Sequence, residues 1–159
     1  MTIEIRRIDY NDPRAIVIRE AMDAEMGVLY AGVDESFDDD MRTAIGASLA
    51  VHPEQMIATI GALDGEKLVG HAALRPFEDD LEVKRVIVLP EYRGRGISKQ
   101  LMSELEIIGR ESGAKRLILQ TGDRQVEAIA LYEAIGYRQI ERFGLYAPIP
   151  FFLCYGKQL

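Results

Sequence analysis

Apolar residues recur at two different spacings at the start of the chain, and these spacings predict a strand followed by a helix. Ile3 and Ile5 alternate with polar residues, as in a short strand. Asp12-Pro13 has the form of a helix start, with an N-cap acceptor before a proline at the first helical position. The apolar residues that follow share one helical face: Val17, Ala21, Ala24 and Val28. We expect this face to pack on the core.

A second helix is predicted from apolar residues at steps of four, namely Met41, Ile45 and Leu49. Ser36 and Asp39 resemble a capping box at its start. His52-Pro53 ends it, because the residue before a proline avoids the helical region.

A hairpin and a long strand come next. The stretches Met56–Leu63 and Glu66–Leu74 flank Asp64-Gly65, a dipeptide that is typical of tight turns. The strand Leu81–Leu89 has an apolar second half, as in a buried central strand. Its first half is interrupted by charged residues: Glu82, Lys84 and Arg85.

The remaining pattern alternates helices with short strands. One amphipathic helix ends near Gly113 and has its apolar positions at Ile97, Leu101, Leu105 and Ile108. Another has its inward positions at Ala128, Leu131, Tyr132 and Ile135. Three strands are predicted at Leu117–Leu119, Tyr137–Ile140 and Phe151–Tyr155. The order β-α-α-β-β-β-α-β-α-β-β joins a hairpin and crossover helices to one mixed sheet.

The composition is that of one globular domain over residues 1–159. A net charge of −7 argues against nucleic acid, whose binding needs a basic surface. No uncharged run approaches the length of a membrane span, and the N-terminal residues lack the apolar region of a signal peptide. Cys154 is the single cysteine, and His52 and His71 lack metal-ligand neighbours. We therefore expect a cytoplasmic protein that binds neither a membrane nor a metal.

A glycine-rich loop, Arg93-Gly94-Arg95-Gly96-Ile97-Ser98, joins the apolar strand to the next helix. Free backbone N–H groups and the positive helix end meet there, which favours an anion. The glycines allow the backbone to approach a phosphate closely, and the two arginines add positive charge. A solvated turn is the alternative, because short glycine motifs have many false positives. The P-loop pattern and the dinucleotide-binding pattern of Rossmann domains do not fit this sequence.

The run from Val86 to Ile97 resembles motif A of the GNAT superfamily of acyl-CoA-dependent N-acyltransferases, Q/R-x-x-G-x-G/A. Arg93 takes the first place of the motif and Gly96 its central glycine, while Ser98 stands where the family usually has glycine or alanine. Downstream, the run from Gln125 to Tyr137 resembles motif B, with Gln125 in place of the usual asparagine. The resemblance covers about residues 66–159.

This resemblance implies an α/β (α+β) fold. Its mixed, mostly antiparallel sheet has six to seven strands, about four flanking helices and a splayed parallel pair of central strands, here Leu81–Leu89 and Lys115–Gln120. It also implies acetyl-CoA as the acyl donor, with the pyrophosphate on the loop and Gln125 beside the cofactor. The backbone of Val86 and Val88 is expected to pair with the pantetheine arm, because splaying leaves strand N–H and C=O groups unpaired.

Two residues are candidates for the proton transfers. Tyr132 stands at the family position of the general acid, although its place on an apolar helix face also suits simple packing. Glu82 is the candidate base, acting through water, and its alternative is a solvated strand end paired with Lys84 or Arg85. Lys84 is expected on the same face as Glu82, where its charge opposes the base role unless a bulge separates the two side chains.

Together these interpretations predict direct N-acetyl transfer from acetyl-CoA to a primary amine of an unidentified small molecule or peptide. One alternative is an acyltransferase with a longer acyl donor or an alcohol acceptor. Another is a non-catalytic acyl-CoA-binding sensor or interaction module, because fold does not fix function. The apolar segment Phe151-Phe152-Leu153 offers an edge for a homodimer.

Overall fold

The computed structural model describes residues 2–159, which form one mixed sheet with helices packed against it. The described residues contain seven strands: β1 (Ile3–Arg7), β2 (Ala58–Asp64), β3 (Lys67–Phe77), β4 (Asp80–Val88), β5 (Arg116–Gly122), β6 (Arg138–Ile140) and β7 (Phe152–Gln158). They also contain four α-helices: α1 (Pro13–Leu29), α2 (Asp39–Leu49), α3 (Ile97–Glu111) and α4 (Val126–Ala134). The spatial strand order is β1-β2-β3-β4-β5-β7-β6. The predicted element order and the mixed, mostly antiparallel sheet are confirmed.

Helices α1 and α3 cover opposite faces of the sheet. Neighbouring residues of β3 show this, because Leu68 packs in a cluster with α1 while Val69 packs in the larger cluster with α3. Side chains that are adjacent in a strand point to opposite faces. The predicted inward face of α3 is confirmed, since all four of its predicted apolar positions are buried: Ile97, Leu101, Leu105 and Ile108.

The predicted inward face of α1 is wrong. Val17 and Val28 are 65% and 79% exposed, whereas Ala15, Ile18 and Arg19 are the buried residues of this helix. The predicted start is correct, because Asp12 caps the helix through the backbone N–H of Arg14 at 2.9 Å. The apolar spacing gave the wrong face because the buried face of α1 includes a charged residue, Arg19, which contacts His71 of β3.

The predicted cap of α2 is also wrong. Asp38 is the N-cap and accepts from the backbone N–H of Met41 at 2.8 Å, while Ser36 ends a short 3-10 turn before it. Aspartate and serine are comparable N-caps, so the sequence pattern does not separate them. Met41 and Ile45 pack on a small cluster under β7, as predicted, but Leu49 is 48% exposed.

Strands β4 and β5 are parallel and separate soon after they begin. They pair at only two positions, Leu81 with Leu117 and Glu82 with Ile118. Beyond Glu82 the two strands diverge, whereas β4 continues to pair with β3 and β5 with β7. The splayed parallel pair expected from the resemblance is therefore present.

Strand β7 lies inside the sheet along only part of its length. Its residues Cys154–Gly156 pair with β6 on one side and β5 on the other, but Phe152 and Leu153 pair with β5 alone. Within residues 2–159, no helix is long and apolar enough to cross a membrane, and no cluster of His, Cys, Asp and Glu is arranged to hold a metal ion.

Candidate active site

Strand β4 contains a bulge in the part that has already separated from β5. Along β3, His71 pairs with Ile87 and Ala73 pairs with Lys84, so Arg85 and Val86 together face a single residue of β3. Arg85 has a φ of 58°, a left-handed conformation that a non-glycine residue adopts only when its surroundings hold it there.

Hydrogen bonds from two other elements hold the bulge. Nδ1 of His71 lies 2.7 Å from the carbonyl oxygen of Arg85, and Nε2 of His71 lies 2.8 Å from Nη1 of Arg19. Arginine can only donate, so His71 accepts at Nε2 and donates from Nδ1. Burial lowers the pKa of His71 to about 4, which keeps the ring neutral, as this arrangement requires.

The side chain of Arg85 ties helix α1 to the same bulge. It donates to Oδ1 of Asp23 at 2.7 Å and to the backbone oxygen of Arg19 at 3.1 Å. Helix α1 is thereby held over the opening between β4 and β5.

The glycine-rich loop forms an open cradle at the start of α3. Gly94 and Gly96 have φ angles of 76° and 77°, and a Cβ added to either would meet no atom within 4 Å. Gly96 is the N-cap of α3, and no side chain caps the helix there. The first intrahelical bond runs from Gln100 to Gly96 at 3.1 Å, so the N–H groups of the first turn point away from helical acceptors. A phosphate group fits a site of this chemistry.

The two arginines of the loop have different surroundings. Arg93 donates from Nε to the backbone oxygen of Val88 at 3.0 Å and forms a two-point ion pair with Glu25 of α1, at 2.9 and 2.7 Å. These hydrogen bonds hold the pKa of Glu25 below its usual range. Arg95 lies over the ring of Tyr92 and donates to the backbone oxygen of Glu91 at 3.1 Å.

A groove of about 550 Å³, here called the cofactor groove, runs from this loop into the splay. Most of the residues predicted from sequence to bind the cofactor line it: Val86, Val88, Arg93, Gly94, Gly96, Ile97, Ser98 and Gln125. Arg95 is the exception and lies outside this lining. Met22, Glu25 and Met26 of α1 form the opposite wall, and no sequence pattern pointed to them.

A second cavity of about 760 Å³, here called the acceptor cavity, adjoins the cofactor groove. Much of its wall is aromatic or aliphatic, with Tyr30, Phe37 and Phe151 among its residues. Its charged lining residues are Asp23, Asp34, Lys84 and Arg85. The two spaces share a wall at Met22, Met26, Val86, Gln125, Ala128 and Tyr132.

Tyr132 lies at the junction of the two spaces. It is 6% exposed, and burial raises the pKa of its hydroxyl well above the usual range, so the group keeps its proton at neutral pH. No hydrogen bond joins its hydroxyl to another group in residues 2–159. The proton is therefore available to a bound molecule.

Glu82 lies at the last paired position before the splay, as its place in the sequence suggested. It is fully buried, and Oε1 accepts from Nε of Arg75 at 2.7 Å while Oε2 accepts from the hydroxyl of Tyr146 at 2.6 Å. Arg75 is the partner of Glu82 across the β3–β4 pairing, whereas Tyr146 lies 64 positions away, so no local pattern identified the contact with Tyr146. Glu82 lines neither the cofactor groove nor the acceptor cavity.

Lys84 lies on the same side of β4 as Glu82, as the regular strand predicted. Its Nζ is 3.9 Å from Oε2 of Glu82 and donates to the hydroxyl of Tyr146 at 2.8 Å. The bulge follows Lys84 instead of separating it from Glu82. Burial lowers the pKa of Lys84 to about 8, the Glu82 carboxylate opposes this fall, and the cations Arg75 and Arg85 add to it.

Comparison with known proteins agrees with this geometry. A family model described as the acetyltransferase (GNAT) family matches residues 17–137. The IAA acetyltransferase of Azospirillum brasilense is 40% identical over 78 residues, which are 49% of this chain and 51% of that protein. This chain therefore spans about half the length of that relative.

Two solved structures share the fold over nearly their whole length. A Klebsiella pneumoniae protein assigned to the acyl-CoA N-acyltransferases has a TM-score of 0.79 at 27% identity, covering 99% of this chain and 98% of that one. The PaiA N-acetyltransferase of Thermoplasma acidophilum, solved in complex with coenzyme A, has a TM-score of 0.70 at 20% identity, covering 100% of both chains. At that lower identity the second likeness shows the fold alone.

Proposed function

This chain belongs to the acetyltransferase (GNAT) family, and on that premise we propose that residues 1–159 act as one domain that transfers the acetyl group of acetyl-CoA to a primary amine. The acceptor is proposed to be a small molecule or a peptide that enters the acceptor cavity. The observation that carries this proposal is the meeting of the cofactor groove and the acceptor cavity at Tyr132.

The chemistry of the cofactor groove supports binding of coenzyme A. Free N–H groups at the start of α3 and the guanidinium of Arg93 suit a pyrophosphate, and the open space at Gly96 leaves room for it. The unpaired side of β4 at Val86 and Val88 suits the amides of a pantetheine arm, which would replace the missing strand partner. Ser98 and Gln125 add polar groups along the same wall.

Tyr132 is the proposed general acid. The amine attacks the thioester carbonyl, the C–S bond breaks, and the hydroxyl of Tyr132 gives its proton to the leaving thiolate. Its position on both walls and its lack of a protein partner support this role. Such an acid contributes about 10²–10⁴ in rate.

Glu82 is proposed to receive the proton that the acceptor amine loses. An alkylammonium must lose a proton before it attacks, because its pKa of about 10.4 keeps it charged at neutral pH. The carboxylate does not line the acceptor cavity, so its role requires an intermediary between it and the amine. A homodimer through the half-paired start of β7 and a cytoplasmic location remain expectations from the sequence.

Release of free thiol from acetyl-CoA tests the proposal. We expect turnover with at least one class in a panel of aralkylamines, polyamines, amino acids and peptide N-termini. Gly96→Asp is the control, since we expect it to fold and to bind the cofactor only weakly. Coenzyme A binding without thiol release across the panel would contradict the enzyme and favour an acyl-CoA sensor. Faster release from longer acyl-CoAs, or with alcohols, would change the donor or the acceptor class.

A further inference from the structure

A chain of three buried side chains leads from the acceptor cavity to a separate groove. The Nζ of Lys84 is 2.8 Å from the hydroxyl of Tyr146, and that hydroxyl is 2.6 Å from Oε2 of Glu82. Lys84 lines the acceptor cavity, whereas Tyr146 and Glu82 line a groove of about 630 Å³, here called the outer groove. The two spaces share no lining residue. Around the end of α2, Leu49 and Val51 line the acceptor cavity, whereas Ser48 and Ala50 line the outer groove.

From this geometry we propose that Lys84 takes the proton of the acceptor amine and that Tyr146 and Glu82 carry it to the outer groove. The proposal rests on the acetyltransferase function given above and names the group that meets the acceptor. It assigns Lys84 as a catalytic residue, with Tyr146 and Glu82 as relay residues behind it.

Each proton movement in this route is balanced. The N–H proton of the bound ammonium moves to the uncharged Nζ of Lys84, which leaves a neutral amine. Nζ then passes a proton to the hydroxyl oxygen of Tyr146, while the original proton of that hydroxyl moves to Oε2 of Glu82. Glu82 releases a proton to water in the outer groove. Lys84 and Tyr146 end as they began, and one proton has left the cavity.

The charges of the buried cluster favour this direction of transfer. With Lys84 uncharged, Arg75 and Glu82 form a neutral pair at 2.7 Å. With Lys84 charged, the cluster holds one excess positive charge at a site where Lys84 is 8% exposed and Glu82 fully buried. Desolvation disfavours that excess charge, so Lys84 readily returns its proton.

Other groups in the acceptor cavity suit the role less well. Asp23 is committed to Arg85 by an ion pair at 2.7 Å, and Asp34 is an exposed residue of the 3-10 turn before α2. Tyr132 must deliver a proton to the thiolate. The charged and titratable groups near Lys84 itself are Glu82, Arg75, Arg85, Tyr146 and, through Tyr146 and Glu82, Cys154.

The pH profile of kcat/KM distinguishes this route from a passive role of the lysine. A base must be uncharged, so kcat/KM should rise with pH through about 8, the pKa of Lys84. It should fall again at higher pH, where an alkylammonium acceptor with a pKa of about 10.4 loses the proton that Lys84 would take. Two amines of different pKa should be compared, chosen from the panel members that release thiol. A limb of the pH profile that reports the acceptor shifts to a different pH when the amine is changed. The limb that reports Lys84 stays at the same pH for both amines.

The decisive variants are Lys84→Ala and Lys84→Met. Both should lower kcat/KM by roughly 10²–10⁴-fold, the usual contribution of a general base. Trimethylamine, which accepts a proton but has no N–H to acetylate, should restore part of the rate to Lys84→Ala. It should not restore Lys84→Met, whose side chain fills the space. Tyr146→Phe should lower the rate in the same direction, and the exposed Lys115→Ala serves as the matched control.

The outcomes separate the relay from the proposed function. Coenzyme A affinity should stay unchanged in every Lys84 variant, because Lys84 does not line the cofactor groove. Lys84 variants with parental kcat/KM and an unchanged pH limb would overturn the relay and leave the acetyltransferase in place. The relay would also be overturned if Lys84→Ala lost activity that trimethylamine did not restore, and if the pH profile of the parent had no limb that stayed in place when the amine was changed. No thiol release from the parent would contradict the function itself.

Discussion

Arg93 of the glycine-rich loop and Glu25 of helix α1 are joined by two parallel hydrogen bonds, Nη1 to Oε1 at 2.9 Å and Nη2 to Oε2 at 2.7 Å. Both residues line the cofactor groove. The carboxylate of Glu25 therefore lies beside the proposed pyrophosphate site. It accepts the hydrogen bonds of the Arg93 guanidinium that a diphosphate would otherwise accept. Binding of the cofactor requires this pair to open or to share its hydrogen bonds.

The first prediction is that Glu25→Gln tightens coenzyme A binding. The change removes a like charge from the groove and frees the guanidinium of Arg93. Because the pair is partly exposed, we expect a gain of about 0.5–1 kcal/mol, a few-fold in Kd. Calorimetry at low and high salt checks this, and screening should shrink the difference at high salt. Glu20→Gln on an exposed part of the same helix is the control. Weaker binding would instead mean that Glu25 positions Arg93 for the ligand.

The second prediction concerns the space above Gly96. Gly96→Asp should fold and lose coenzyme A affinity by at least about tenfold, because the new carboxylate would occupy the phosphate site with a like charge. Gly113→Asp is the matched control, since Gly113 also has a positive φ, of 81°, and open space around its Cβ position. Both variants should lose about 1 kcal/mol of stability, the cost of a side chain in that conformation.

Ser98 supplies a companion test of the same loop. Ser98→Gly should bind coenzyme A about as well as the parent protein, because it introduces the residue that is usual in the family. Equal affinities of Gly96→Asp, Gly113→Asp and the parent would remove the glycine-rich loop from the cofactor site.

The third prediction is that Tyr132→Phe lowers kcat by roughly 10²–10⁴ with little change in acetyl-CoA affinity. The variant keeps the ring that packs on the core and removes a hydroxyl that has no protein partner in the described residues, so stability should hold. Tyr137→Phe is the control, because its buried hydroxyl lies outside both cavities. Parental kcat in Tyr132→Phe, where chemistry limits the rate, would reduce Tyr132 to a packing residue.

The fourth prediction is a loss of stability at low pH caused by His71. Its pKa falls from 6.5 in the unfolded chain to about 4 in the fold, so only the unfolded chain takes up this proton between those values. The contribution of His71 to the free energy of unfolding is therefore present in full above pH 6.5. It declines by about 3 kcal/mol as the pH falls to 4. Denaturant unfolding from pH 7 to 4.5 measures the decline.

His71→Asn is the variant that isolates this effect. Its amide can still donate to the backbone oxygen of Arg85, but it has no proton to gain in this pH range. The variant should be less stable than the parent at pH 7 and should lose less stability on acidification. Parallel stability curves for the two proteins would show that His71 is not the group responsible.

Local sequence patterns determined the elements and much of the cofactor groove. The residues that define α3 and its loop lie within 16 positions of each other, from Arg93 to Ile108, and their spacing alone specifies a glycine turn followed by a helix. Most of the predicted binding residues therefore line the cofactor groove. Tyr132 lines it as well, because the motif B residues form helix α4, which carries Tyr132. Spacing of this kind can be read locally because hydrogen bonding in a helix spans four residues.

Only the tertiary structure decided which side chains face one another. Glu82 meets Tyr146 across 64 positions and Arg93 meets Glu25 across 68, and neither pairing has a local signature. The same reason explains the wrong prediction for the inward face of α1. The buried face of a helix is the one whose side chains have partners in the rest of the fold, and the partner of Arg19 is His71, 52 positions away. Burial and charge pairing are properties of the packed chain, so they determine the proton route and the α1 wall of the groove, which the order of residues alone does not specify.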